Sequence, residues 1–96
     1  MALFIETLEA LIKQRYESPQ EGSYTSKLFS DGTDRILKKV GEEASEVIIA
    51  AKNNDSDELK QEAADLIYHL LVSLRDKGVA FYFYLKRQST RLNDML

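Results

Sequence analysis

Apolar residues recur every three or four positions along most of this chain, which is the period that places side chains on one face of an α-helix. Two turn-forming stretches, one rich in Ser, Gly and Thr and one rich in Asn and Asp, interrupt the pattern. We therefore predict three long helices, over residues 2–16, from 33 or 34 to 52–54, and from 56 or 57 until Gly78 ends the third.

The second and third predicted helices are separated only by the short polar segment Asn53 to Asp57. Because so short a connection makes neighbouring helices run antiparallel, we expect a central helix hairpin. Polar side chains are available to cap both helices, namely Thr33 or Asp34 for the second and Ser56 or Asp57 for the third.

The sequence on either side of the hairpin is less regular. Residues 17–33 contain the only proline of the chain, and we expect regular structure to lapse there. Residues 79–96 predict a fourth helix with an aromatic first half and a basic, polar second half, although the run from Val79 to Leu85 also fits a strand. The predicted fold class is all-α, a bundle of about four helices around a central antiparallel hairpin.

The third predicted helix has apolar residues on more than one face. They are Leu66, Ile67, Leu70, Leu71, Val72 and Leu74. A helix that is apolar over most of its circumference must be surrounded by other elements, and a chain of 96 residues supplies few of them. We therefore expect a homodimer that forms through the second and third helices.

Composition narrows the class of protein. A length of 96 residues predicts one domain over residues 1–96, and 44% hydrophobic with 30% charged residues is typical of a globular protein. Neither a secretory signal nor a long apolar run is evident, so we expect a cytoplasmic protein that does not enter the membrane. The chain has no cysteine for a thiolate site, and its net charge of −3 disfavours binding to nucleic acid.

Two acidic pairs lie within the predicted hairpin, Glu43 with Glu46 and Glu62 with Asp65. Residues three positions apart are neighbours on a helix surface, and the hairpin can bring the two pairs together. Carboxylates so close repel one another unless protons or a hard cation neutralise them, and an all-oxygen set suits Mg²⁺, or alternatively Mn²⁺. A solvated helix face explains the same residues equally well, and their position beside apolar runs is the argument for a metal site.

Two residues near the acidic pairs allow more than one interpretation. Glu42 can be an extra ligand or a general base that takes a proton from water, or it can form an ion pair with Lys38 or Lys39. His69 follows Asp65 by four positions, so it can be a structural hydrogen-bonding residue, support Asp65 or contact a substrate.

A local excess of positive charge precedes the first acidic pair. The cations are Lys27, Arg35, Lys38 and Lys39. A bound metal ion and nearby cationic side chains can together bind a phosphate chain. The segment containing Tyr24 can add hydroxyls and an aromatic face that bind a nucleotide. The same cations can also be ordinary surface residues, and the chain contains no Walker or dinucleotide-binding motif.

Three segments together carry a family resemblance: SYTSKL, GTDRILKKVGEEASE and EAADLIYHLL. Over about residues 24–74 the chain resembles the phosphoribosyl-ATP pyrophosphohydrolases, within the all-α MazG-type nucleoside triphosphate pyrophosphatase superfamily. The acidic pairs alone are typical of the whole superfamily, whereas the combination of the three segments is more specific.

The resemblance implies Mg²⁺-dependent hydrolysis of phosphoribosyl-ATP to phosphoribosyl-AMP and pyrophosphate, the second step of histidine biosynthesis. The acidic positions of the family motif fall on Glu43, Glu46, Glu62 and Asp65 as metal ligands, and Glu42 and Glu43 are the catalytic candidates. The candidates for binding the nucleotide substrate are Tyr24, Lys27, Arg35, Lys38, Lys39 and His69.

Two other functions remain open at this point. A house-cleaning pyrophosphatase that acts on other nucleoside triphosphates would use the same acidic pairs, and only a substrate panel would separate it from the histidine enzyme. A helical adaptor without catalytic activity would explain the amphipathic segments, but it would leave the acidic pairs beside apolar runs unexplained.

Overall fold

Six α-helices form all the regular structure of residues 4–96, the part of the chain that the computed structural model describes. The helices are α1 (Phe4–Glu17), α2 (Tyr24–Asp31), α3 (Thr33–Lys52), α4 (Ser56–Asp76), α5 (Phe81–Arg87) and α6 (Ser89–Asn93). The all-α prediction is confirmed. The start of the first predicted helix, at Ala2, lies outside the described residues.

The predicted hairpin is confirmed as the pair α3 and α4, which forms the most extensive helix packing in the described chain. At the turn, Asn54 adopts a positive φ of 57° and the backbone N–H of Asp55 donates to the carbonyl of Ala50 over 3.1 Å. At the opposite end, the hydroxyl of Thr33 donates to the Asp76 carboxylate over 2.7 Å. The first residue of α3 therefore meets the last residue of α4, as an antiparallel pair requires.

The caps of these two helices differ from the prediction. The N-cap of α4 is Asp55, one residue before the predicted candidates, and its carboxylate accepts from the Glu58 backbone N–H over 3.1 Å. The N-cap of α3 is Gly32, without a side-chain bond, because the Thr33 hydroxyl bonds across the hairpin to Asp76 instead. The tertiary contact with Asp76 therefore engages the Thr33 hydroxyl, which the local sequence had assigned to the N-cap of α3.

Helix α2 corrects the expectation that residues 17–33 lack regular structure. Ser23 caps it, accepting from the Ser26 backbone N–H over 3.2 Å, and Gly32 ends it at φ 102°, a conformation that glycine adopts without strain. Leu28 is 1% exposed in the core, so packing stabilises a helix of only eight residues. Two turns are too short for a clear hydrophobic period, and the polar composition concealed them.

The C-terminal region is helical, but in two pieces rather than the one helix that the sequence predicts. Gly78, at φ 74°, follows the end of α4 as expected. Helices α5 and α6 are separated at Gln88. The N-terminus of α5 has no cap from its own residue, and the Glu9 carboxylate of α1 accepts from the Tyr82 backbone N–H over 2.9 Å. This bond fixes α5 on α1.

The core lies at the end of the hairpin that is remote from the turn. Its buried members are Ile12, Leu28, Ile36, Leu71 and Val72, contributed by α1, α2, α3 and α4. The acidic residues occupy the middle of the hairpin, between this core and the turn. None of the helices within residues 4–96 combines the length and the apolar character needed to cross a bilayer.

Candidate metal centre

Three acidic side chains converge in the middle of the hairpin. Glu43 comes from α3, and Glu62 and Asp65 come from α4 on successive turns. One carboxylate oxygen from each residue lies within 4.8 Å of the corresponding oxygens of the other two. The spacing of three positions places Glu62 and Asp65 on one face, and the antiparallel register brings Glu43 opposite them.

Two of these carboxylates are removed from solvent. Glu43 is 7% exposed and Glu62 is 8% exposed, whereas Asp65 is exposed. The Oε2 atoms of Glu43 and Glu62 are both buried, and neither has a hydrogen-bond partner among the described residues. An unpaired buried carboxylate oxygen is costly, so the site needs a proton or a cation to complete it.

The proton affinity of Glu62 reflects this crowding. Its pKa is raised from the usual 4.5 to about 9, chiefly because the Glu46 carboxyl can share a proton with it and also because Glu43 and Glu58 lie close. Burial of Glu62 acts in the same direction. The cluster therefore holds a proton at neutral pH when no cation is bound.

The donor set fits a hard divalent cation. It consists of carboxylate oxygens from two helices, it includes two unpaired buried oxygens, and its third member, Asp65, is exposed to solvent. Mg²⁺ and Mn²⁺ prefer such ligands, whereas zinc prefers nitrogen and sulfur.

The position of Glu46 differs from that of the other three candidate ligands. It is exposed on α3 and adjoins Glu62, but it is not part of the group whose oxygens lie within 4.8 Å of one another. The structure therefore brings together Glu43, Glu62 and Asp65 and leaves Glu46 at the edge of the cluster.

Lys39 links the cluster to Glu42. Its ammonium group lies 3.3 Å from the Glu42 carboxylate and 3.6 Å from that of Glu43. The pKa of Lys39 is raised, first by the hydrogen bond to Glu42, although partial burial opposes the shift. Lys38 lies 4.0 Å from Glu42. The ion pairs that the sequence allowed for Glu42 are therefore present, and Glu42 is not part of the three-residue group.

Comparison with known proteins points to one family. Residues 5–87 match the family described as phosphoribosyl-ATP pyrophosphohydrolase. The phosphoribosyl-ATP pyrophosphatase of Lactiplantibacillus plantarum is 60% identical over 77 residues, which cover 80% of this chain and 73% of that protein. The phosphoribosyl-ATP pyrophosphatase of Leptospira biflexa is 57% identical over 77 residues, or 80% of this chain and 84% of that protein.

This chain belongs to the phosphoribosyl-ATP pyrophosphohydrolase family. The resemblance carried by the three sequence segments is confirmed, and so is the expectation that the chain is a hydrolase. The histidine biosynthesis bifunctional protein HisIE of Bacillus subtilis is 64% identical over 72 residues, 75% of this chain. The chain spans 34% of the length of that bifunctional relative.

In this family member the four predicted substrate-binding cations are arranged unevenly. Lys39 is the one that contacts the acidic cluster. Lys38 lies on the exposed side of α3 beside Glu42, and Arg35 is exposed one turn earlier. Lys27 forms an ion pair with Asp31 over 3.3 Å on α2, so its charge is already balanced within that helix.

His69 and Tyr24, both candidates for substrate contact, bond to each other. His69 is 5% exposed, its Nε2 lies 3.0 Å from the Tyr24 hydroxyl, and its Nδ1 lies 2.7 Å from the Asp65 backbone carbonyl. Both ring nitrogens of His69 are thus engaged by protein atoms, and its contact with Asp65 is to the backbone rather than to the carboxylate. Tyr24 is half-exposed and remains free to contact a ligand.

Sequence reasoning missed Tyr68 and Glu58, which the structure brings to this region, and it placed Thr25 only in a segment that offers hydroxyls. Thr25 and Tyr68 bond through their hydroxyls, next to the pair of Tyr24 and His69. Glu58 adjoins Glu62 from the preceding turn of α4. The i, i+4 spacing of Glu58 and Glu62 was a local signal for that neighbour. The contact between Thr25 and Tyr68 had no such signal, because 43 positions separate them.

Proposed function

We propose that this chain hydrolyses phosphoribosyl-ATP to phosphoribosyl-AMP and pyrophosphate, the second step of histidine biosynthesis, with Mg²⁺ held by the acidic cluster. The observation that carries the proposal is the convergence of Glu43, Glu62 and Asp65, with two buried carboxylate oxygens lacking partners. Family membership supplies the substrate class, since the relatives are named for phosphoribosyl-ATP. The proposed location is the cytoplasm.

The ligands in this proposal are Glu43, Glu62 and Asp65, with Glu46 completing the set from the edge of the cluster. Mg²⁺ would supply charge neutralisation for the triphosphate and for the departing pyrophosphate. Mn²⁺ is the alternative cation. The two helices fix the carboxylates, so the geometry is set before the nucleotide binds.

Glu42 and Glu43 are the proposed catalytic residues. Glu42 is exposed, with its carboxylate 3.3 Å from the Lys39 ammonium group, and it is proposed to take a proton from an attacking water molecule. Glu43 is buried, and it contacts Lys39 on one side and the cluster residues Glu62 and Asp65 of α4 on the other. Its proposed role is to orient the water and to hold the cation.

The triphosphate is proposed to lie along the side of the cluster that bears Lys39. Lys39 is a cation already in place beside the carboxylates, and Lys38 and Arg35 extend the positive charge along α3. Lys27 would have to exchange Asp31 for a phosphate group. The exposed ring of Tyr24 offers a surface for the nucleoside.

The chain is proposed to form a homodimer through α3 and α4. Ile48 and Ile49 on α3 are 63% and 57% exposed, and Ile67 and Leu70 on α4 are 43% and 41% exposed. A groove of about 220 Å³ on α4 is lined by Ile67, Leu70, Leu71, Ser73, Leu74 and Phe81. Exposed apolar side chains that line a groove are typical of an interface between subunits.

The test of the proposed activity is a substrate panel. We expect pyrophosphate release from phosphoribosyl-ATP in the presence of Mg²⁺ and none with excess chelator, with much slower release from ordinary and modified nucleoside triphosphates. Faster turnover of another nucleoside triphosphate would assign the chain to house-cleaning instead. Absence of release from every nucleotide, together with no effect of Mg²⁺ on stability, would favour an adaptor.

A further inference from the structure

Two adjacent hydrogen bonds fasten the start of α2 to the middle of α4. The Tyr24 hydroxyl bonds to His69 Nε2 over 3.0 Å, and the Thr25 hydroxyl bonds to that of Tyr68. Consecutive residues of one helix thus meet consecutive residues of the other. The two bonds differ in their surroundings, because Tyr24 is 48% exposed whereas Tyr68 is partly buried against the core.

The second bond of His69 determines which atom donates to which. A carbonyl oxygen can only accept, so His69 Nδ1, 2.7 Å from the Asp65 carbonyl, carries the hydrogen. In the neutral ring this leaves Nε2 as an acceptor, and the Tyr24 hydroxyl donates to it. The imidazole is therefore fixed on the turn of α4 that bears Asp65, with its acceptor directed at Tyr24.

The Tyr24 ring is attached through His69 to the turn of α4 that carries Asp65. It packs edge-on against the His69 ring, with 5.9 Å between centroids and an interplanar angle of 86°. His69 Nδ1 bonds to the Asp65 backbone carbonyl over 2.7 Å, and Asp65 is the exposed member of the acidic cluster. The half-exposed Tyr24 ring is therefore available to a nucleotide whose phosphates reach the cluster.

We propose that His69 is a positioning residue that holds the Tyr24 hydroxyl and so fixes the phenol ring as one wall of the nucleotide site. This inference rests on the proposed function for the identity of the ligand, a nucleotide bound through its phosphates. His69 does not contact the substrate in this arrangement, since both of its nitrogens are bonded within the protein. Fixing the ring before binding lowers the entropy that the complex must lose.

A double-mutant cycle tests the positioning role. Tyr24→Phe removes the hydroxyl and keeps the ring, and His69→Leu removes the acceptor. We expect each variant to raise KM for phosphoribosyl-ATP by about threefold to tenfold, the loss of one hydrogen bond, with kcat little changed. The double variant should show no further increase, because both changes break the same bond. His69→Gln, which keeps an acceptor oxygen, should recover part of the affinity.

Tyr68→Phe provides the matched control, because it removes the hydroxyl that bonds to Thr25 and keeps the ring that stacks on Tyr24. The effect of Tyr68→Phe on KM should add to that of His69→Leu. If His69 served only in packing, His69→Leu would lower the melting temperature without changing KM. In ¹⁵N NMR spectra, Tyr24→Phe should shift the Nε2 resonance of His69 and leave Nδ1 protonated.

The inference would be overturned by additive KM effects of Tyr24→Phe and His69→Leu, or by an unchanged KM in both. The wild-type protein separates this result from failure of the proposed function. If it releases no pyrophosphate from phosphoribosyl-ATP, the proposed function is wrong, and the same cycle is then measured as the Kd for ATP with Mg²⁺. Additivity of those Kd values would contradict the positioning role equally.

Discussion

Glu62 makes the acidic cluster sensitive to pH. In the folded protein its pKa is raised from 4.5 to about 9, first by the proton shared with Glu46, so the folded state binds a proton that the unfolded chain releases. The resulting stability is complete below the unfolded pKa and is lost as pH rises towards the folded one. Neutral pH lies between the unfolded and the folded pKa of Glu62. A cation bound to the cluster would replace the proton.

We therefore expect the metal-free protein to lose stability relative to Glu62→Gln as pH rises between about 4.5 and 9. The glutamine keeps the size of the side chain and removes its titration. Urea unfolding in chelator across this range measures the difference between the two proteins. Parallel stability curves would show that the Glu62 proton does not contribute.

Substitutions of Asp65 and Glu46 compare a proposed metal ligand inside the three-residue group with one at its edge. Asp65→Asn should reduce turnover of phosphoribosyl-ATP by at least about 100-fold, since it removes a ligand charge without changing size. Glu46→Gln should also reduce turnover, but by a smaller factor, because Glu46 lies outside the three-residue group. Far-ultraviolet circular dichroism should show unchanged helix content. Full activity in both variants would refute the metal assignment.

At the residue scale, sequence spacing predicted the cluster but not its boundary. The i, i+3 pairs and the short hairpin connection were sufficient to bring Glu43, Glu62 and Asp65 together. The burial of Glu43 and the exposure of Glu46 depend on how α3 is rotated against α4, which the spacing does not determine. The bond between Tyr24 and His69 joins residues 45 positions apart and depends on where α2 docks.

At the scale of single helices, the predictions that failed were those of the short helix α2 and of the N-caps. Helix α2 has eight residues and owes its stability to Leu28 in the core, which composition could not indicate. The N-caps of α3 and α4 were each misplaced by a residue or two, because several polar residues stood in a row and only packing decided among them. The long helices, whose hydrophobic period is sustained, were predicted well.

The cap of α4 is open to a direct test. Asp55→Ala should lower the free energy of unfolding by about 1 kcal/mol, because the Glu58 backbone N–H loses its acceptor. Ser56→Ala, at the first helical position, should change it by less than about 0.5 kcal/mol. Denaturant unfolding of the two variants measures both values. Equal effects would restore Ser56 as a cap.

At the scale of the whole molecule, the hairpin determines both the core and the site. Its outer end joins α1 and α2 in the core, and its middle carries the acidic cluster. Of the apolar side chains that predicted a dimer, Ile67 and Leu70 remain exposed on α4, whereas Leu71 and Val72 are buried in the core of the single chain. The sequence could indicate this excess of apolar surface, but not the partner that covers it.

Leu70→Glu should convert the proposed dimer into a monomer, because it places a charge in the apolar groove on α4. Leu11→Glu is the matched control, since Leu11 is similarly exposed, at 48%, but lies on α1. Sedimentation at several protein concentrations distinguishes the two states. A wild-type protein that sediments as a monomer would contradict the proposed dimer.

The central claim is that the buried carboxylates of the hairpin hold Mg²⁺. Calorimetric titration of Mg²⁺ into the nucleotide-free protein, in buffers of different ionisation enthalpy, tests it most directly. We predict saturable binding with release of a proton by the wild-type protein, and binding weakened by at least about tenfold in Glu43→Gln. Equal binding by the two proteins, or no proton release, would contradict the claim.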